Sequence, residues 1–265
     1  MKFLTSILGI IFTTLISSAA YATTIGPDAY GYIATDQTQY NFVDIRATGT
    51  NAFPSYDDDG SEGPINIGFS FNFYGTNYSS LYLSTNGMMS FGSGNDTYLN
   101  QNITSSDPPD EPVILPYWDD LVADPGNPSG GGVYYETIGS PGSQQFIAEW
   151  YERRIADYSA GNELRFEVIL FEGSNNILFQ YADVIGSSGS NGLSATVGIR
   201  DANGENTGNY LQWSYNQAVI TNEEAILFTN PNAVSAVPEP ATMFLLGTGL
   251  VGVAGAARRK KKNQA

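Results

Sequence analysis

The sequence has 265 residues, 27 of them acidic and 11 basic, a formal net charge of −16, and contains neither histidine nor cysteine. These absences exclude Ser-His-Asp and Cys-His catalysis, disulfide bonds, and zinc or copper sites built on imidazole or thiolate ligands. The negative charge argues against nucleic acid as a partner, because phosphates need basic contacts.

The first 22 residues have the features of a secretory signal peptide. Lys2 precedes an apolar run over residues 3–16, and Ala20 and Ala22 supply the small residues of an A-x-A cleavage site. We therefore expect residues 1–22 to be removed and the mature chain to begin at Thr23. The alternative, a permanent N-terminal anchor, is disfavoured because the apolar run is short.

Residues 23–236 are expected to form one extracellular domain. Residues 65–73 alternate apolar with small or polar side chains, and residues 81–91 predict a hairpin that turns at Asn86-Gly87. Short strands separated by turn-forming residues predict an all-β fold, an antiparallel β-sandwich. The other expected strands cover residues 113–118, 133–137, 146–153, 164–172, 177–182, 194–199, 210–215 and 225–228, with weaker signals at 30–34 and 40–45.

Acidic side chains dominate this domain, where 26 acids against five arginines leave a charge of −21. Such a surface keeps the domain soluble and attracts divalent cations. Carboxylate oxygens suit calcium, and four aspartates are the candidate ligands: Asp57, Asp59, Asp119 and Asp120. The favoured interpretations are instead a solvated loop around Asp57 and capping of loop amides by Asp119 and Asp120. No other cofactor is predicted.

Paired carboxylates could also hydrolyse glycosides. The acids on or beside expected strands are Glu149, Glu152, Glu163 and Glu167. Glu149 has the opposite parity to Trp150, so we expect it to face solvent. Arg153 and Arg154 are expected to be partners either of Glu149 or of facing strands.

Three tryptophans could stack on sugar rings or fill the core. They are Trp118, Trp150 and Trp213. Aromatic residues in strands more often lie in the core, so that interpretation is favoured.

Motifs within the domain resemble a nidogen-like extracellular domain. They occur in residues 71–75, 81–87, 90–92, 115–120 and 132–135, and the resemblance could extend from residue 65 to residue 228. It implies an extracellular adhesion or matrix module without established chemistry. Animal versions lie in cysteine-rich chains, so their partners do not carry over to this cysteine-free sequence.

The C-terminal residues 237–265 form a second targeting signal, after the signal peptide. Residues 241–257 are uncharged and just long enough for a transmembrane helix, and five bases follow as a stop-transfer signal: Arg258, Arg259, Lys260, Lys261 and Lys262. Positive charge stays on the cytoplasmic side, so the acidic domain is expected outside the cell.

This tail begins with Val237, Pro238, Glu239 and Pro240. Together with the apolar helix and the basic end, these residues resemble the PEP-CTERM sorting signal of Gram-negative bacteria. The resemblance implies processing by an exosortase, a membrane enzyme, and a link to extracellular polysaccharide and biofilm. The alternative is a plain linker before a permanent anchor.

The sequence thus favours a non-enzymatic protein of the cell surface or extracellular matrix, which binds polysaccharide or another surface protein. The alternatives are a carbohydrate-active enzyme that uses two carboxylates and a purely structural acidic coat component.

Overall fold

The computed structural model describes residues 23–55, 57–104, 110–123, 131–156, 163–185 and 190–230. Within these ranges the chain forms two antiparallel β-sheets and one short helix, which confirms the expected all-β sandwich. The predictions for residues 1–22 and 237–265 lie outside these ranges. No helix in the described part of the chain is long and apolar enough to cross a membrane.

The described strands follow one another along the chain as β1 Thr24–Ile25, β2 Ile33–Thr35, β3 Thr50–Asn51, β4 Ser61–Phe73, β5 Thr76–Ser84, β6 Met88–Ser90, β7 Val113–Trp118, β8 Leu121–Ala123, β9 Gly132–Ile138, β10 Gln145–Ile155, β11 Leu164–Phe171, β12 Ile177–Asp183, β13 Thr196–Arg200, β14 Tyr210–Tyr215 and β15 Glu224–Thr229. The helix α1, Gly204–Thr207, lies between β13 and β14.

Nine of these strands form the larger sheet, in the order β1-β2-β15-β12-β11-β10-β9-β3, with β8 paired to β10 off this path. The smaller sheet has six strands in the order β14-β13-β7-β6-β5-β4. Strands distant in sequence therefore become neighbours, as β2 and β15 do.

The core lies between the two sheets and follows from the alternation in the sequence. Along β4, the residues from Ile65 to Phe73 are buried at every second position, and those between them are mostly exposed. Each such buried side chain contributes roughly 1.5–3 kcal/mol. From the larger sheet, Trp150 stacks on Phe166 with ring centroids 5.2 Å apart, and Phe166 stacks on Tyr117 of the smaller sheet at 5.5 Å.

The hairpin expected at Asn86-Gly87 is confirmed, since β5 and β6 pair on either side of it. Gly87 has φ 68°, and a Cβ there would lie 2.0 Å from the carbonyl oxygen of Tyr117. Only glycine fits this turn.

One expected strand is wrong. Residues 40–45 pair with no other strand, and we call residues 40–46 the strap. Conversely, β1, β3, β8 and α1 were not predicted from the sequence, and each has four residues or fewer.

The sandwich has two distinct ends. The upper end carries the β5–β6 turn, the β7–β8 connection and residues 190–195. Gly192 N donates to Tyr117 Oη at 3.0 Å, which joins the last of these segments to β7. The lower end carries residues 28–32, the β4–β5 turn and Asn230, the last described residue. Asn230 is buried and donates through Nδ2 to Tyr32 Oη at 2.8 Å, so the described part of the chain ends at the lower end.

Candidate functional site

Asn86 joins three segments at the upper end. Its side chain is fully buried. Nδ2 donates to Asp59 Oδ1 and to the carbonyl oxygen of Asp96, each at 3.0 Å, and Oδ1 accepts from Leu121 N at 2.9 Å. The residue that the sequence marks only as a turn former therefore also holds the acidic loop against the β7–β8 connection.

This arrangement brings three carboxylates together. Ligand oxygens of Asp58, Asp59 and Asp120 lie within 4.8 Å of one another, near enough to contact one cation. Oxygen ligands of this kind suit calcium. Two of the four aspartates selected from the sequence, Asp59 and Asp120, belong to the group. Asp58 was missed because adjacent acids in a loop do not reveal which of them approach Asp120.

The other two selected aspartates lie outside this group. Asp57 lies beside Gly60. Asp119 is buried, and it accepts from Ser194 Oγ at 2.6 Å and from Asp120 N at 2.9 Å. Asp119 thus caps a loop amide and joins β7 to the segment before β13.

A second polar cluster lies on the outer face of the larger sheet, the face turned away from the smaller sheet. Glu149 of β10, Glu167 of β11 and Gln180 of β12 stand directly opposite one another across the three strands. All three are fully buried. We call this row of three side chains the polar rung.

The strap covers the polar rung and binds it through alternate backbone amides. Asn41 N donates to Gln180 Oε1 at 2.5 Å, Val43 N to Glu167 Oε1 at 3.0 Å, and Ile45 N to Glu149 Oε2 at 3.0 Å. Gln180 Nε2 completes the rung by donating to Glu167 Oε1 at 2.6 Å. Side chains thus take the place of a strand partner for the strap.

The expectation that Glu149 faces solvent is therefore wrong. Its parity does direct it away from the core, but the strap buries that face. Its partner is Arg165, whose Nε donates to Glu149 Oε1 at 2.9 Å, and not Arg153. Arg153 instead donates to the carbonyl oxygen of Leu121 at 2.5 Å.

Arg165 and Arg46 tie the edge of the strap to the sheet. Arg165 lies 2.9 Å from Asp44 and Arg46 lies 2.5 Å from the same carboxylate. The guanidinium of Arg46 also lies 4.1 Å from the ring centroid of Tyr151. Hydrogen bonds from Arg46 hold the pKa of Asp44 well below its usual range.

Burial perturbs both acids of the rung. It raises the pKa of Glu167 to about 8, assisted by the charge of Glu149. Burial also raises the pKa of Glu149, opposed by the hydrogen bonds from Ile45 N and Arg165. Since desolvation penalises the charged form, burial favours the protonated state of Glu167.

The tryptophans belong to the core, as expected. Trp118 and Trp150 are almost fully buried, and Trp213 is partly buried and packs against the core. Two of the indole N–H groups are bonded within the domain, because Trp150 Nε1 donates to the carbonyl oxygen of Ser84 and Trp118 Nε1 to that of Thr97, each at 2.8 Å.

Exposed apolar side chains collect on the loops of the upper end. About half of each side chain or more is exposed, and they are Tyr98, Leu99, Ile185, Leu193 and Val219. Hydrogen bonds link the loops that carry them, since Asn100 Nδ2 donates to Asn216 Oδ1 at 2.9 Å and Ile220 N donates to the carbonyl oxygen of Asn191 at 3.0 Å.

The fold and its tail define an exported β-sandwich that carries a sorting signal. A family model described as NIDO related matches residues 31–242, and the chain belongs to that family. A second model, the PEP-CTERM protein-sorting motif, matches residues 236–260. Neither the curated proteins nor the solved structures give a match.

The sorting motif determines where the protein is delivered. It implies an exported protein, processed by an exosortase and anchored in the membrane with its domain outside. The nidogen-like resemblance and the sorting signal expected from the sequence are both confirmed by these matches.

Proposed function

We propose that this chain is a non-enzymatic surface or matrix protein that binds an extracellular polysaccharide or surface protein through the loops of its upper end. The observation that carries the proposal is the position of Asn230, the last described residue, at the lower end. From Asn230 to the sorting motif at Val237 the chain can extend at most about 25 Å, so the lower end stays near the membrane as long as the tail anchors the chain there.

The upper end then points away from the membrane. Strand β10 has 11 residues, which corresponds to about 35 Å of sheet between the two ends. The exposed apolar side chains lie at the far end, where a partner outside the cell can reach them. Apolar side chains that join in one exposed patch are typical of interaction sites.

The binding experiment compares upper-end variants with a matched control on the full displayed chain. Leu99→Ser and Val219→Ser together should weaken binding to purified exopolysaccharide, or adhesion between cells, by tenfold or more. Ile33→Ser is the control, because Ile33 is also exposed but lies on the larger sheet. Equal effects of the two changes would contradict an upper-end site.

The buried acids support a non-enzymatic role. Glu149 and Glu167 could serve as the two carboxylates of a glycosidase, but both accept amide protons of the strap and neither is exposed. If the wild-type chain releases reducing ends from polysaccharide and Glu167→Gln does not, the enzyme replaces the binder as the proposed function.

Processing of the tail is tested separately by cell fractionation and intact-mass measurement. We expect the native protein to lack the residues beyond the sorting motif. A mature protein that retains the tail through Lys262 would indicate a permanent anchor.

A further inference from the structure

We infer that the strap is a pH-sensitive cover, which opens from the outer face of the larger sheet as Glu167 ionises and exposes the apolar side chains beneath it. This inference is independent of the proposed function. It depends on how the strap is held, on what surrounds Glu167, and on what the strap covers.

The strap is held mainly by side chains of the sheet. Residues 40–46 belong to no strand, and their alternate amides bond to the three members of the polar rung. Glu167 is the middle member, and its Oε1 accepts from both Val43 N and Gln180 Nε2. A change at Glu167 therefore acts on the centre of the attachment.

The other oxygen of Glu167, Oε2, is buried without a hydrogen-bond partner. A protonated carboxyl tolerates this environment better than a carboxylate, which loses its hydration without compensation. Opening of the strap admits water to that oxygen. Ionisation of Glu167 strengthens the two hydrogen bonds that Oε1 accepts. The cost of burying the charge is larger than this gain, since burial is the largest cause of the raised pKa of about 8.

The charged groups around Glu167 do not remove this penalty. Glu149 from β10 adds a like charge, and Arg165 from β11 forms its bonds with Glu149 and Asp44. The strap contributes Asp44, Arg46 and Tyr40, and the Arg46 guanidinium lies beside Asp44. The remaining titratable neighbours are Tyr151 on β10, which stacks with Arg46, and Glu223, which acts on Tyr40.

An apolar layer lies under the strap. Ile45 packs in one cluster with buried side chains from four strands, namely Ile147, Ile169, Leu178 and Ala225. Tyr40 and Val43 of the strap pack against the same cluster. Opening therefore exposes an apolar surface beside a row of hydrogen-bond acceptors, which together match an extended peptide segment.

The direction of the effect follows from the two states of Glu167. When the strap is closed the pKa is about 8, and in water it is near its ordinary value of 4.5. Between pH 4.5 and pH 8 the open state therefore binds fewer protons than the closed state. The population of the open state rises about tenfold per pH unit over this range, up to roughly a thousandfold, and is constant above pH 8.

Hydrogen exchange of the full chain, corrected for the intrinsic pH dependence of exchange, tests this inference. Protection of the amides of Asn41, Val43 and Ile45 should fall by at least a hundredfold between pH 5 and pH 8.5, while amides of β10 and β11 keep theirs. Binding of a dye for apolar surfaces should increase over the same range. Protection that stays constant in the wild-type chain would overturn the inference without any variant.

Glu167→Gln keeps the acceptor for Val43 N and cannot ionise. In this variant the fall in strap protection should be at least tenfold smaller than in the wild type. Ionisation of Glu149 accounts for the pH dependence that remains. Glu62→Gln, an exposed position on β4, is the matched control and should behave as wild type. An unchanged pH dependence in Glu167→Gln would refute the role of Glu167.

Discussion

Replacing Asn86 by alanine should destabilise the whole domain, because this one side chain joins three loops of the upper end. The change removes two bonds donated by Nδ2 and one accepted by Oδ1. Each bond contributes about 1 kcal/mol net, and a buried amide left unsatisfied costs about 1–3 kcal/mol. Leu121 is fully buried, so its N–H loses its acceptor. We expect a loss of about 4 kcal/mol.

For a domain of this size, each kcal/mol shifts the melting temperature by about 2–4 °C, so Asn86→Ala should lower Tm by about 8–16 °C. Thermal and urea unfolding of the purified chain measure the loss. Asn77→Ala is the matched control, because Asn77 is exposed and its Oδ1 accepts from the Nδ2 of Asn72 at 2.8 Å. It should cost less than about 1 kcal/mol.

Asn86→Asp separates the acceptor from the donors. Aspartate can still accept from Leu121 N, but it cannot donate to Asp59 and adds a like charge beside it. Its loss of stability relative to the wild type should be larger at neutral pH than at pH 4. The reasoning is refuted if Asn86→Ala and Asn77→Ala lose equal stability, since the buried bonds would then contribute nothing.

Three further predictions concern other parts of the domain. Gly87→Ala should cost more than about 3 kcal/mol or prevent folding, whereas Gly92→Ala, also at positive φ but with open space around it, should cost only about 1 kcal/mol by urea unfolding. The free energy of unfolding of the wild type should fall relative to that of Glu167→Gln as pH rises from 4.5 to 8, by up to about 5 kcal/mol. The reason is that the unfolded chain releases the proton that folded Glu167 retains. Equal pH profiles of the two chains would contradict this. If the carboxylates of Asp58, Asp59 and Asp120 bind calcium, excess Ca²⁺ raises Tm and a chelator lowers it. The double change Asp59→Asn with Asp120→Asn then removes this response. A wild-type Tm that changes with neither Ca²⁺ nor chelator excludes the site.

The sequence predicts most of the strands because their pattern is local. In β4 the alternation alone identifies the buried face, and at Asn86-Gly87 the turn residues alone predict the hairpin. Very short strands such as β1 and β3 are missed, because two residues are too few to show a period and their pairing is set by neighbours elsewhere in the chain.

The candidate sites depend more on long-range contacts. Sequence selects Asp59 and Asp120 for their chemistry, but Asp58 joins them because of how the loop folds against Asn86. A run of three aspartates has no internal feature that distinguishes the two that approach Asp120.

The sequence by itself determined the export and sorting of the protein, the all-β class and the absence of histidine and cysteine chemistry, because each depends on composition or on a local motif. Only the tertiary structure decided the surroundings of Glu149. Parity directs it away from the core, and the strap then buries it through Ile45, which is 104 residues away along the chain. Local pattern sets the face of a strand on which a side chain lies, whereas the segment that covers that face is set by packing between distant parts of the chain.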